Sequence, residues 1–159
     1  MAHNRGDGWG ISTIQAEAAQ QLLLAIEYGS FNGQQAIGKG ISNASYPVLT
    51  GSTSALGNTS GSATSSSDGN NTYSESGKVA VSYRGVENPW GNMWKMVDNC
   101  YIHGDNGSSA GRPMIKIREA TDNTEAVYEY AGFNIPNYQN WVSGFGCGND
   151  STDWLFLPA

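Results

Sequence analysis

The sequence predicts a single α+β domain over residues 1–159, in which two N-terminal helices precede a twisted antiparallel sheet with long loops. Three observations support this fold class. Helical spacing of apolar residues ends near residue 37, short stretches of strand-like alternation begin after residue 77, and 63 of the 159 residues are Gly, Ser, Thr or Asn. Such a composition suits a loop-rich domain better than a helical bundle, and the chain is long enough to bury one core.

The first predicted helix covers residues 13–28, because apolar residues recur there at helical spacing. Ser12 and Gln15 match a capping box at its start, and Gly29 stands where a left-handed cap ends a helix. The residues of the expected buried stripe are Ile14, Ala18, Leu22, Ala25 and Ile26.

A short second helix is predicted from Gln34 to Ile37, capped by Asn32 and stopped by Gly38 and Gly40. Residues 50–77 follow, and they are rich in Ser, Thr, Gly and Asn. Their large apolar residues are Leu56 and Tyr73. We therefore expect a surface loop or insertion that packs no core of its own.

Strand-like patterns dominate the rest of the chain. Alternation predicts short strands, each bounded by Gly, Asn or Pro. The strand candidates are Val79, Val81 and Tyr83, then Trp94, Met96, Cys100 and Ile102, then residues 114–118, 127–130 and 154–157.

Charge and composition exclude several classes of partner. The net charge is −6, and the eight basic residues are scattered singly, which disfavours nucleic acid and anionic membrane surfaces as ligands. No apolar run approaches the roughly 18 residues of a membrane span. Two cysteines and two histidines cannot build a cysteine-only zinc site, so we predict no metal and no cofactor. Whether Cys100 and Cys147 form a disulfide stays open.

Catalytic motifs are weak. A serine nucleophile would need His103 as its base, and no GxSxG elbow surrounds any serine. We therefore predict a protein that is not an enzyme. Paired acidic residues such as Asp150 and Asp153 lie among turn formers, where solvated caps are common.

The aromatic and Asn-rich tail, residues 132–154, has the composition of a recognition surface, because rigid aromatic rings and adaptable amides recur in binding loops. The alternative is that Trp141 and Trp154 are simply core residues. The predicted ligand contacts are Asn134, Asn137, Tyr138, Asn140, Trp141, Asn149, Asp150 and Trp154.

The block YRGVENPWGNMWKMVD at residues 83–98, with AIEYGSFN at 25–32 and DWLFLP at 153–158, resembles the C-type-lectin-like domains of bacteriophage virion and tail-associated proteins. These are related in fold to formylglycine-generating enzymes and to the variable proteins of diversity-generating retroelements, whose hallmark is a Gly-Asn-x-Trp-Glu-Trp-like strand. Residues 91–96 read GNMWKM, so the acidic and second Trp positions differ.

The resemblance implies a C-type-lectin-like fold in which the block 83–98 is structural. Gly85 and Gly91 would permit tight turns, Pro89 would hold Asn88 extended, and the block's tryptophans, at positions 90 and 94, would supply core. Calcium-dependent sugar binding is not supported, because residues 87–89 read Glu-Asn-Pro instead of Glu-Pro-Asn. The enzymes' Gly-Phe-Arg-Cys is Gly-Phe-Gly-Cys at residues 144–147, so Cys147 is expected to be a small buried residue.

The function implied is recognition of a host receptor from the surface of a phage particle, with a bacterial cell-surface glycan or protein as ligand and other virion proteins as neighbours. Self-association is left open. The alternatives are a structural virion component without ligand binding and a retroelement-diversified variable binding protein. The resemblance further implies that the chain is a domain trimmed from a longer virion protein, because phage domains of this kind usually carry further N-terminal sequence and residues before Trp9 predict no strand.

Overall fold

The computed structural model describes residues 6–7, 9–104, 110–121, 124–136, 145–149 and 152–158. It contains helices and antiparallel sheets, which confirms the α+β class. The chain divides into two compact units, unit 1 (residues 1–23 and 96–159) and unit 2 (residues 24–95). Each unit has a buried apolar cluster of its own.

Helix α1 (Ile14–Tyr28) begins one residue later than the sequence predicts. Thr13 precedes it, and the Thr13 Oγ1 accepts the Ala16 N–H at 3.3 Å. Ser12 instead donates its hydroxyl to the carboxylate of Glu17 at 2.8 Å. The predicted capping box is therefore wrong, since the cap lies one residue further along the chain.

The buried face of α1 differs in part from the predicted stripe. Ile26, expected to be buried, is 77% exposed, whereas Leu24 is buried. Residues 22–26 are all apolar and cover most of the helix circumference, so spacing alone does not decide which of them faces the core. Gly29 has φ +59° and ends the helix as predicted. An exposed apolar stripe remains, formed by Ala16, Ala19, Leu23 and Ile26.

Helix α2 (Gly33–Ala36) confirms the prediction of a short capped helix. Asn32 precedes it, and the Asn32 Oδ1 accepts the Gln35 N–H at 3.0 Å. Ile37, the expected last residue, is the C-cap and donates its N–H to the Gly33 carbonyl.

The largest sheet lies in unit 1 and is built around one long strand. The order is β6 (Cys100–Gly104), β7 (Ala110–Arg118) and β8 (Val127–Tyr130), with β9 (Ile135–Pro136) also paired to β7. All pairings are antiparallel. The predicted strands at 114–118 and 127–130 are confirmed.

A hairpin pairs β10 (Phe145–Cys147) with β11 (Phe156–Pro158) in unit 1. The strand predicted at 154–157 therefore begins two residues later, because Trp154 lies in a turn. The buried apolar cluster of unit 1 comprises Ile14, Ala18, Ile115, Ala131 and Leu155.

The polar segment 50–77 of unit 2 is more regular than its composition predicts. It contains a 3₁₀ turn (Ser54–Leu56), β1 (Gly61–Ser62), and the hairpin of β2 (Ser66–Ser67) and β3 (Thr72–Tyr73). Ala63 belongs to the core of unit 2, and Tyr73 packs against it. Small side chains let the backbone approach closely, so the segment packs despite having few large apolar residues.

The second sheet of unit 2 has the order β1, β4 (Val81–Tyr83) and β5 (Val86–Glu87). All three residues of β4 are buried, so its burial does not alternate as the sequence pattern suggests. The buried apolar cluster of this unit comprises Ile41, Val48, Ala63 and Ala80.

The strand predicted from Trp94 through Ile102 is wrong over its first half. Trp94 and Met96 are exposed and belong to no strand, and β6 begins only at Cys100. Asn92 and Asn99, with φ of +64° and +66°, interrupt the extended backbone on either side of this stretch.

Candidate functional site

Three of the eight predicted contact residues lie in the described part of unit 1. Asn134 is exposed, and its Oδ1 accepts the Tyr130 hydroxyl at 2.8 Å. Asn149 is also exposed. Trp154 is half-buried and packs against the buried cluster of unit 1, which matches the alternative interpretation of this ring as core. The other five, Asn137, Tyr138, Asn140, Trp141 and Asp150, lie outside the described residues.

Asn149 belongs to a tight turn. Its carbonyl accepts both the N–H and the hydroxyl of Thr152, each at 2.8 Å. Its side chain lies against Gly132, where an added Cβ would stand 2.6 Å from the Asn149 Oδ1. Thr152 is fully buried, whereas Asn149 is exposed.

A second candidate site lies on unit 2, where an open groove of about 460 Å³ is bordered by residues 50–57 and 85–95. The sequence did not single it out. Its lining combines a carboxylate, two asparagines, a methionine and a tryptophan. An aromatic ring beside several polar groups makes the groove a candidate ligand site.

Glu87 fixes one wall of this groove. Its Oε1 accepts the Gly51 N–H at 2.8 Å, and its Oε2 accepts the Thr53 N–H at 2.8 Å and the Thr53 hydroxyl at 2.6 Å. Burial raises the pKa of Glu87, but the hydrogen bonds from Thr53 and Gly51 lower it by more, so the pKa lies below its ordinary value of 4.5. Glu87 is therefore ionised at neutral pH and fully engaged in holding the 51–53 turn.

Gly91 and Asn92 also line the groove, and contacts with the backbone fix their positions. The Asn92 side chain accepts the Val48 N–H at 2.8 Å and donates to the Val48 carbonyl at 3.1 Å, so it pairs with the backbone as a strand would. Gly91 has φ +75°, and an added Cβ would stand 2.7 Å from the Ile41 carbonyl oxygen. Only glycine fits this close approach without a backbone shift.

Trp90 has the structural role predicted for the block 83–98, although Trp94 of the same block does not. Its ring is half-buried and lies over Gly33 and Gly40, where an added Cβ would come within 3.0 Å and 2.9 Å of ring atoms. Its indole N–H donates to the Gly38 carbonyl at 3.3 Å. Gly85, with φ +84°, forms a turn as predicted.

Asn88 is the unusual residue of the groove. It is 8% exposed, yet its Oδ1 has no hydrogen-bond partner among the described residues. The expectation that Pro89 holds Asn88 extended is wrong, because Asn88 has φ +52°. Asparagine tolerates the left-handed region better than most residues, and the Asn88 N–H donates to the Val81 carbonyl at 2.7 Å, which anchors this conformation.

Trp94 contradicts its predicted place in the core. Its side chain is 97% exposed, and that of neighbouring Met93 is 66% exposed. Both line the groove. An exposed tryptophan beside a second exposed apolar side chain at the border of a groove makes this surface a candidate interaction site.

The cysteines are both free, Cys100 half-buried and Cys147 exposed. The expectation of a buried Cys147 is wrong. Gly146 is buried beneath the Phe133 ring, and side chains alternate along a strand, so Cys147 faces the other way. Burial, and to a lesser extent the charge of Asp98, raise the pKa of the Cys100 thiol.

Other chemistry-bearing residues lie apart. His103 is exposed on β6, opposite Arg112 of β7. Within the described ranges, no three His, Cys, Asp or Glu side chains are placed to share a metal ion. Among the same residues, no helix has both the length and the apolar character needed to cross a bilayer.

Comparison of the chain with protein-family models, with curated proteins and with solved structures found no match. Assignment to a class therefore depends on the residues themselves.

The sequence did not predict the groove, because Trp94 lies an even number of positions before Cys100 and Ile102, which do belong to a strand, and so fitted the same alternating pattern. One signal was available. Residues 91–96 interleave Gly, Asn and Lys with Met and Trp, a mixture that fits neither a strand face nor a helical stripe. The buried amide of Asn88, in contrast, has no signature in the sequence.

Proposed function

We propose that this chain is a non-enzymatic ligand-binding domain of the C-type-lectin-like class, carried on the surface of a phage particle, which recognises a glycan or protein on the bacterial host. The observation that supports ligand binding is the groove on unit 2, which is lined by an almost fully exposed Trp94 and by Asn88, whose buried Oδ1 has no hydrogen-bond partner among the described residues. The phage setting and the lectin-like class are supported by the resemblance of residues 83–98.

The tail, residues 132–154, contributes a second contact region to this proposal. Asn134 and Asn149 are exposed on unit 1, as a contact role requires. Replacing Tyr138 and Asn140 together tests the tail, because unchanged binding would remove it from the proposal.

The test is retention of the labelled domain on a panel of bacterial strains and on their purified wall polysaccharides, with and without EDTA. We expect selective retention by one strain or a few related strains, unchanged by EDTA. Albumin carrying the same label is the control for nonspecific adhesion. Retention on no strain would overturn the proposal.

A structural role without ligand binding is favoured by one observation, the exposed apolar stripe of α1. On the same helix Gln20 Nε2 and Gln21 Oε1 are buried without hydrogen-bond partners among the described residues. A second copy of the chain could cover the stripe, which Leu23 and Ile26 dominate. Analytical ultracentrifugation measures the oligomeric state, and the retention panel measures cell binding. A stable oligomer that is retained on no strain would establish the structural role.

A further inference from the structure

We propose that the groove bordered by residues 50–57 and 85–95 is a saccharide-binding site that takes one or two neutral sugar rings, with an apolar ring face on Trp94 and a hydroxyl or amide N–H donated to the Asn88 Oδ1. This inference rests on the proposed ligand-binding function and deepens it by naming the ligand class. It is independent of the tail, since all its residues belong to unit 2.

Trp94 provides the apolar contact. At 97% exposure, its ring has both the area and the access needed to be covered by a ligand. A pyranose has a face of C–H groups and a rim of hydroxyls, so it can cover an indole without burying its own polar groups. Met93, also exposed, extends the apolar surface on the same border of the groove.

Asn88 determines which polar group the ligand must bring. Asn88 lines the groove, but its Oδ1 is shielded from solvent, so a ligand donor reaches this acceptor when the side chain rotates toward the groove, and the new hydrogen bond then relieves the cost of a buried acceptor without a partner. Hydroxyl and acetamido N–H groups are donors of this kind. Deprotonated oxygens of phosphate or carboxylate are not.

Charge also favours a neutral ligand. Two ionisable residues line the groove, Glu87 and Lys95, and their charges are opposite. The Glu87 carboxylate already accepts three hydrogen bonds from the 51–53 turn, so its role is to hold that turn in place. The groove therefore presents no cluster of cations for an anionic glycan.

The groove is open to solvent and has a volume of about 460 Å³, so one or two sugar rings would lie along its surface and keep their outer side in water. The contacts of Glu87 and Asn92 with the backbone hold both borders before any ligand arrives, which reduces the ordering cost of binding.

An extended peptide fits this site less well. Peptides of that kind bind by adding a strand to a sheet edge. β5, the edge strand that contributes Glu87 to the groove, is two residues long and offers few backbone groups for pairing. A second copy of this chain is the remaining occupant, and the test includes it.

The experiment compares the wild-type chain with four variants on an array of immobilised oligosaccharides that are neutral, N-acetylated, sialylated or phosphorylated. Trp94→Ala removes the ring, and Trp94→Phe retains a smaller one. Asn88→Gly removes the acceptor yet tolerates the positive φ. Tyr46→Ala is the matched control, since Tyr46 is 70% exposed on the same unit and does not line the groove.

We expect the wild-type chain to select neutral or N-acetylated glycans. Trp94→Ala should weaken that binding about tenfold or more, Trp94→Phe by less, and Asn88→Gly several-fold, while Tyr46→Ala leaves it unchanged. Thermal midpoints of the Trp94 variants should equal that of the wild type, because the ring packs against almost nothing.

Several outcomes would overturn the inference. If cells retain the wild-type chain and Trp94→Ala equally, or if cells retain it while no array glycan does, the saccharide site is wrong but the proposed function stands. Selection of sialylated or phosphorylated glycans would refute the neutral ligand class. A change of oligomeric state in Trp94→Ala would make this patch a contact between copies. Retention on no strain would refute the proposed function itself.

Discussion

Replacing Glu87 by Gln should loosen the 51–53 turn that forms one border of the groove. The carboxylate accepts three hydrogen bonds, two of them from Thr53 and one from Gly51. A glutamine amide keeps the length of the side chain but has one oxygen. If that oxygen takes the two Thr53 bonds, the amide N–H₂ faces the Gly51 N–H, donor against donor.

The expected cost follows from this geometry. One hydrogen bond is lost outright and two lose their ionised acceptor, and such bonds to charged groups contribute about 1.5–3 kcal/mol against about 0.5–1.5 kcal/mol for neutral ones. Because Glu87 is only partly buried, solvent screening reduces the difference. We expect the free energy of unfolding to fall by about 2 kcal/mol, equivalent to a thermal midpoint lower by about 4–8 °C.

The assay is thermal and urea denaturation of the wild-type chain and the variant across pH. The pKa of Glu87 is depressed in the folded state, so its stabilisation is present above its unfolded value near 4.5 and is lost as pH falls through the lower folded value. The difference between the two proteins should therefore be constant at neutral pH and shrink in acid. Glu75→Gln is the control, because Glu75 forms an exposed ion pair with Lys78 and should matter little.

A loss below about 0.5 kcal/mol at pH 7, the size expected of an ordinary surface substitution, would refute the reasoning. A difference that grows as the solution is acidified would refute it equally, since it would reverse the sign of the linkage.

Three further predictions concern single positions. Gly91→Ala should destabilise the chain by about 1–3 kcal/mol in urea denaturation, because the new Cβ would meet the Ile41 carbonyl at a positive φ. Asp68→Asn should speed amide exchange in the β2–β3 turn. The Tyr73 hydroxyl and neighbouring backbone N–H groups hold the pKa of Asp68 far below its usual range, so this turn should also loosen as pH falls through that low value. Cys147, which is exposed, should react quickly with a thiol reagent, and Cys100 should react slowly, because Cys100 is half-buried and burial raises the pKa of its thiol.

Each of these has its own control and refutation. Gly29→Ala also has a positive φ but no neighbour within 4 Å, so it should cost less than the Gly91 change, and equal costs would contradict the contact argument. If amide exchange in the β2–β3 turn is the same in the Asp68→Asn variant as in the wild-type chain, the hydrogen bonds assigned to Asp68 are contradicted. Equal thiol reaction rates, or a disulfide between the two cysteines, would contradict their placement.

Local chemistry explains which parts of the fold could be predicted. The Asn32 cap of α2, the left-handed Gly29, and the strands at 114–118 and 127–130 all follow from hydrogen bonds or alternation within a few residues. These signals require no knowledge of distant contacts.

Failures occurred where long-range packing decides the outcome. Ile26 and Trp94 are apolar and at suitable spacing, yet both are exposed and neither belongs to a buried cluster. Asn88 is a nearer case, since it takes a left-handed conformation before a proline and its N–H is bound to the Val81 carbonyl, 7 positions earlier across the β4–β5 hairpin. The groove is built by such contacts, so the sequence analysis placed the binding face on the tail alone.

The most direct test of the account is a titration of the ¹⁵N-labelled chain with wall oligosaccharides from a strain that retains it, in EDTA, followed by ¹H–¹⁵N correlation spectra. The five tryptophan indole signals report both candidate regions at once. The account predicts saturable shifts of the Trp94 indole and of the Asn88 side-chain amide. Shifts confined to Trp141 and Trp154 would place the ligand on the tail instead, and the absence of any shift would contradict metal-independent glycan recognition by this domain.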